Sequence, residues 1–107
     1  MIRDTISKIE ARLQGSNALS DDARADLLSL LGELKREIGN VEPAVGQSIA
    51  GHTEQLTKQA TEEARNPELL KRSLDELSAS VGGFETSHPR LVQVVNRICT
   101  TLSNIGI

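Results

Sequence analysis

Large aliphatic side chains recur along almost the whole chain at steps of four and three residues, the spacing that sets them on one face of an α-helix. The clearest case is the last segment, where Leu91, Val95, Ile98, Leu102 and Ile105 follow one another at four, three, four and three, with Val92, Val94 and Cys99 widening the face. Leu70, Leu74, Leu77, Val81 and Phe84 repeat that rhythm upstream as a true heptad. The fold class this predicts is all-α: a helical bundle of four to five amphipathic helices. A chain of 107 residues is one domain on length alone. Leu, Ile, Val and Phe supply about 27% of it, above the roughly 20% below which disorder is the default.

Local signals divide the pattern into segments. Ile2, Ile6, Ile9 and Leu13 make one stripe, with Arg3, Asp4, Lys8, Glu10 and Arg12 mostly on the wet side, and Gly15 is expected to end this helix as a left-handed cap. Ser20 is a good N-cap for the second helix, followed by Asp21 and Asp22 where the helix dipole favours anions. Ala23, Leu27, Leu30, Leu31, Leu34 and Ile38 then form a wide apolar face, broadened by Leu28 and closed by Gly39 and Asn40. Pro43 restarts helix at a first-turn position, where its missing N–H costs nothing. Asn66 and Pro67 do the same for the fourth helix. Gly82 and Gly83 either interrupt or end that helix, and His88-Pro89 marks a second turn, because the residue before proline is pushed out of helical geometry. Gly106 is the expected final cap, with Ile107 folding back on the last turn.

The middle differs in kind. Between Ala44 and Arg65 the large apolar residues are Val45, Ile49 and Leu56, and Gly46, Gly51, Thr53, Thr57 and Thr61 lower the helix propensity. The resulting plan is a single domain, 1–107, made of two apolar helical hairpins, residues 2–39 and 67–105, joined by a polar helix over 43–66. About 22 residues of unbroken helix span roughly 33 Å, more than a bundle connection needs. The joint is expected to pack loosely, either beside the hairpins as a fifth helix or as a bridge holding them apart, so that each hairpin seeks its partner in another copy.

Composition excludes several functions. Phe84 is the sole aromatic residue, so stacking platforms for single-stranded nucleic acid and aromatic cages for quaternary ammonium have no rings to use. Twelve Lys and Arg against fifteen Asp and Glu give a net charge of −3, with no run of like charge longer than two. That balance argues against a general grip on DNA and against docking on an anionic membrane. No window approaches 18 consecutive apolar residues, and residues 1–10 alternate charge with isoleucine, so neither a membrane span nor a secretory signal is expected. Cys99 is a lone cysteine and makes no internal disulfide, which points to the cytoplasm.

Chemistry-bearing residues are few. His52, His88 and Cys99 are separated by 36 and 11 residues, which fits no usual zinc spacing. Cys99 reads as a small buried hydrophobe, and Ser87 or His88 as a cap bonding the free amides that open the last helix. Neighbouring acids such as Asp21-Asp22 and Glu62-Glu63 point about 100 degrees apart on a helix and do not pair as acid and base. Gly82-Gly83 lacks the following lysine and preceding strand of a phosphate loop. No catalytic constellation, cofactor or metal site is expected.

The string Phe84-Glu85-Thr86-Ser87-His88-Pro89-Arg90-Leu91 and the ending Leu102-Ser103-Asn104-Ile105-Gly106-Ile107 resemble a small bacterial family catalogued as domain of unknown function 4404. The likeness extends to the short first helix, the Leu-rich second helix and everything after about Leu69. The stretch from about Val45 to Arg65 is longer than the family pattern leads one to expect, and Gly82 and Gly83 stand where helix formers are usual. The resemblance implies a helical protein and no particular reaction or ligand.

The leading functional expectation is a non-enzymatic homo-oligomer or adaptor. It would offer an aliphatic groove to itself or to another helical protein, because the apolar faces of the second and fifth helices exceed what one small core hides. The expected surface is Leu27, Leu31, Leu34, Phe84, His88, Leu91, Val95 and Leu102. Two alternatives come from other classes. One is a nucleic-acid-associated regulator using helices four and five, with Lys71, Arg72, Arg90 and Arg97 nearby but an apolar recognition helix. The other is a peripheral lipid binder, which lacks interfacial aromatics and a basic face.

Overall fold

Side-chain caps and prolines start the helices where the sequence places them. In the computed structural model, which describes residues 2–62, 64 and 66–106, α1 spans Ile2–Gly15, α2 Asp21–Ile38, α3 Pro43–Thr61, α4 Pro67–Ser80 and α5 Pro89–Gly106, with no strand among the described residues. Ser20 Oγ accepts from the amide of Ala23. Asn66 Oδ1 accepts from the amides of Glu68 and Leu69. Each such cap satisfies donors that the first turn leaves open and is worth about 1 kcal/mol.

The ends are made differently from expectation. Gly15 is not a left-handed cap: it lies within α1, and Gly83 (φ 93°) is the one glycine with positive φ among the described residues. The carbonyl end of α1 is held instead by Arg24 of α2. Its Nε donates to Leu13 O at 3.1 Å and its Nη2 to Ser16 O at 2.8 Å, while Nη1 pairs with Asp21. α3 ends at Thr61, short of the expected residue 66, where Glu62 turns to extended backbone (ψ 145°). α4 ends at Ser80, so the helix does not run through Gly82 and Gly83. The heptad position Val81 is still buried, but Phe84 follows the helix end. Gly106 lies within α5, and Ile107 and Glu63 are outside the described residues.

The third helix reverses the sequence picture of a loose joint. Of the two arrangements left open, α3 takes the first, lying in the bundle as a fifth helix and packing against all four others. Ile49, Ala50, Thr53, Leu56 and Ala60 are fully buried. The polar stripe is buried because it satisfies itself: Thr53 Oγ1 donates to Ile49 O, Thr57 Oγ1 to Thr53 O and Thr61 Oγ1 to Thr57 O, each at 2.8 Å. A hydroxyl that bonds the carbonyl one turn back presents its methyl to the core and carries little desolvation cost. The contacts Gln47 to Thr5 and Arg12 to Thr61 set α1 and α3 parallel, with their carbonyl ends together.

The apolar faces of α2 and α5 meet each other. Leu27, Leu31 and Leu34 are buried, as are Leu91, Val95 and Leu102, and α2 packs directly on α5. The excess of apolar surface expected for one chain is therefore absorbed inside it. Among the described residues Leu69 is the large hydrophobic side chain that remains exposed.

Candidate functional site

The eight residues expected to form an interaction surface fall into two groups. Leu27, Leu31, Leu34, Leu91, Val95 and Leu102 are core residues, and this is a correction: in the folded chain they form no open groove, because α2 and α5 cover one another. Phe84 and His88 are half-buried and lie together in the turn between α4 and α5, their rings 5.6 Å apart edge to face.

That turn is a clamp. Gly83 takes a left-handed conformation that glycine adopts without strain, and its amide donates to Glu85 Oε2. The His88 amide closes the turn on Phe84 O at 2.8 Å. His88 does not cap α5 with its side chain. Nδ1 meets Ser87 Oγ at 3.1 Å, and Nε2 lies 3.3 Å from Asn40 O in the turn between α2 and α3. Arg90 adds a second tie, with Nη2 3.4 Å from Glu33 and Nε 3.9 Å from Glu37, both on α2. The family-like Ser-His-Pro string thus fastens one end of the bundle. His88→Ala is expected to lower unfolding stability by about 1 kcal/mol, the net worth of one hydrogen bond, read from the urea midpoint at unchanged slope.

The other reactive residues are apart. His52 on α3 faces Glu76 on α4, Nδ1 to Oε2 3.7 Å. Cys99 sits half-buried on α5, in a shallow groove of about 290 Å³ shared with Leu74 of α4 and with Thr100, Ser103 and Asn104. Burial pushes its thiol up from 9.0 to about 11. The expected result is alkylation by iodoacetamide near neutral pH roughly a hundredfold slower in the native protein than in the urea-unfolded chain, since the thiolate is the reacting form. The unfolded thiol ionises first, so stability falls as pH rises from about 9 towards about 11. No group of three His, Cys, Asp or Glu side chains among the described residues is placed to hold a metal ion, and no helix among them is long and apolar enough to cross a membrane.

A second feature depends on the packing of α1 on α3. Parallel packing of α1 and α3 brings Lys8 and Arg12 beside Lys58, with Glu54 and Gln55, around a cleft of about 370 Å³ floored by Ile9 and Thr57. Lys8 and Arg12, four apart on one helix face, were a visible signal. Lys58 was not, since its place beside them depends on which helix covers α1.

No curated protein and no solved structure matches the chain. The family described as Domain of unknown function (DUF4404) matches residues 47–107, from the first turns of α3 to the end of the chain. The match takes in most of the middle segment whose length departs from the expected family pattern, and leaves α1 and α2 outside it. Over more than half its length, and with the Phe84 to Leu91 clamp inside the matched region, the chain belongs to the DUF4404 family.

Proposed function

We propose that this domain is a non-enzymatic helical module that holds a protein partner, a second copy of itself or another helical protein, along the α4–α5 groove. The observation that carries this reading is the groove itself, which Leu74 of α4 and Cys99 of α5 line as half-buried side chains, with the exposed Leu69 on the same helix as Leu74. Ser103 and Asn104 supply a small polar rim. A small apolar patch of Leu74 and Cys99 between two helices, with polar edges, suits an apolar side chain presented by a third helix. The side chains that could have done chemistry are occupied structurally, His88 in the turn clamp, His52 against Glu76 and Cys99 as a protonated thiol. A cytoplasmic setting fits a single thiol kept unpaired.

Sedimentation equilibrium tests the self-association form. The expected species is a multiple of the 11.6 kDa chain, returned to a single chain by Leu74→Glu or by Ser103→Arg at unchanged helix content. A protein that sediments as a single chain at every concentration, with α4–α5 amide signals independent of concentration, overturns self-association through this groove.

A further inference from the structure

We propose that the cleft between α1 and α3 binds a phosphoryl dianion, whether free phosphate or a phosphate monoester. Three cations line this one cleft, Lys8 and Arg12 from α1 and Lys58 from α3, against a single carboxylate, Glu54. None of the three makes an ion pair with a described residue, in a chain whose net charge is −3. The lining therefore carries two positive charges in excess, and a phosphate monoester, at about −1.5 to −2 near neutral pH, neutralises them.

Arg12 is fixed in advance. Its Nε donates to Thr61 Oγ1 at 2.8 Å and its Nη2 to Lys58 O at 3.4 Å, and Thr61 is tied in turn to Thr57 O. These contacts leave Nη1 without a hydrogen bond to any described residue, so one edge of a planar, oriented guanidinium remains for an anion's oxygens. The cleft floor is Ile9 and Thr57, both at most 2% exposed. A low-dielectric wall on one side strengthens charge attraction above its value in open water. Neutralising the helix dipole accounts for part of this arrangement, since Arg12 and Lys58 stand in the last turns of their helices. It does not account for Lys8, which lies mid-helix, two turns before the end of α1. A volume of about 370 Å³ has room for a phosphoryl group and a small portion of what carries it.

The test is an amide-shift titration with inorganic phosphate and, separately, with phosphoserine, at ionic strength held constant with chloride. The expected result is a saturable shift confined to the amides around Lys8, Arg12, Gln55 and Lys58. Lys8→Gln together with Lys58→Gln should weaken it about tenfold or more, as expected for losing two charge-assisted contacts. Both lysines are exposed, so the variant keeps its helix content. Tighter binding of phosphoserine than of phosphate assigns the site to a phosphorylated side chain, and equal binding assigns it to a small free phosphate. Shifts that do not saturate, that chloride alone reproduces, or that survive unchanged in the double variant overturn the proposal.

Discussion

Leu56→Ala is expected to destabilise the protein by about 3 kcal/mol, while Thr53→Val, one turn away on the same helix, leaves it within about 1 kcal/mol of the parent. Both residues are fully buried on α3. Truncating Leu56 removes apolar contacts and leaves a cavity in the core, a loss of about 2–5 kcal/mol in well-packed cores. Against a total stability of roughly 5–15 kcal/mol for a domain of this size, that is a large fraction. A helix that merely bridged two hairpins would lose far less. Thr53 makes the opposite case. Its hydroxyl bonds Ile49 O, which also accepts the helical amide of Thr53, so the valine variant orphans no backbone group. Urea unfolding of the two variants at unchanged slope separates these readings. A cost below about 1 kcal/mol for Leu56→Ala would show that α3 is not part of the core.

The pair shows what was legible and what was not. Ser20, Pro43 and the Asn66-Pro67 pair are local devices, and each begins a helix in the structure as its sequence context predicts. The apolar stripes of α2 and α5 were equally plain. Periodicity identifies a face to be covered, however, and says nothing about what covers it. Hence Leu27, Leu34, Leu91 and Leu102 read as a surface but are core. Thr53 and Thr57 are not legible as core, because composition counts a threonine as polar wherever it lies, whereas back-bonding to the preceding turn lets it pack as an apolar residue. The Arg24 contact with Leu13 O crosses a loop and eleven residues, and no local motif encodes it. The cleft beside Lys8 was half visible for the same reason: two of its cations share a helix, and the third arrives only with the fold.

Glycines on α3 give the second large effect, because two that look alike in the sequence have opposite surroundings. Gly46→Val is expected to cost about 3 kcal/mol, and Gly51→Ala to stabilise by about 0.5–1 kcal/mol. A Cβ at Gly46 would lie 3.1 Å from Ile2 Cδ1 and 3.2 Å from Ile38 O. The isoleucine tip can swing aside, but the carbonyl belongs to the last residue of α2 and moves only with the helix. Gly46 thus sits at a close junction of α3 with Ile2 of α1 and Ile38 of α2, where the missing side chain leaves room for α3 to pack after the turn at Val41 and Glu42. A β-branched residue there must push α2 outward or shift α3 along its axis, and either movement loosens Ile38 and Ile49 in the core. At Gly51 nothing lies within 4 Å of an added Cβ, and the residue is mid-helix, so alanine recovers helix propensity without a clash. Thermal and urea unfolding of both variants measures the difference, a spread of about 4 kcal/mol between two glycines five residues apart. Were Gly46→Val tolerated within about 1 kcal/mol, the close junction of the three helices would not constrain the fold, and the burial of α3 would have to rest on its threonine and leucine stripe alone.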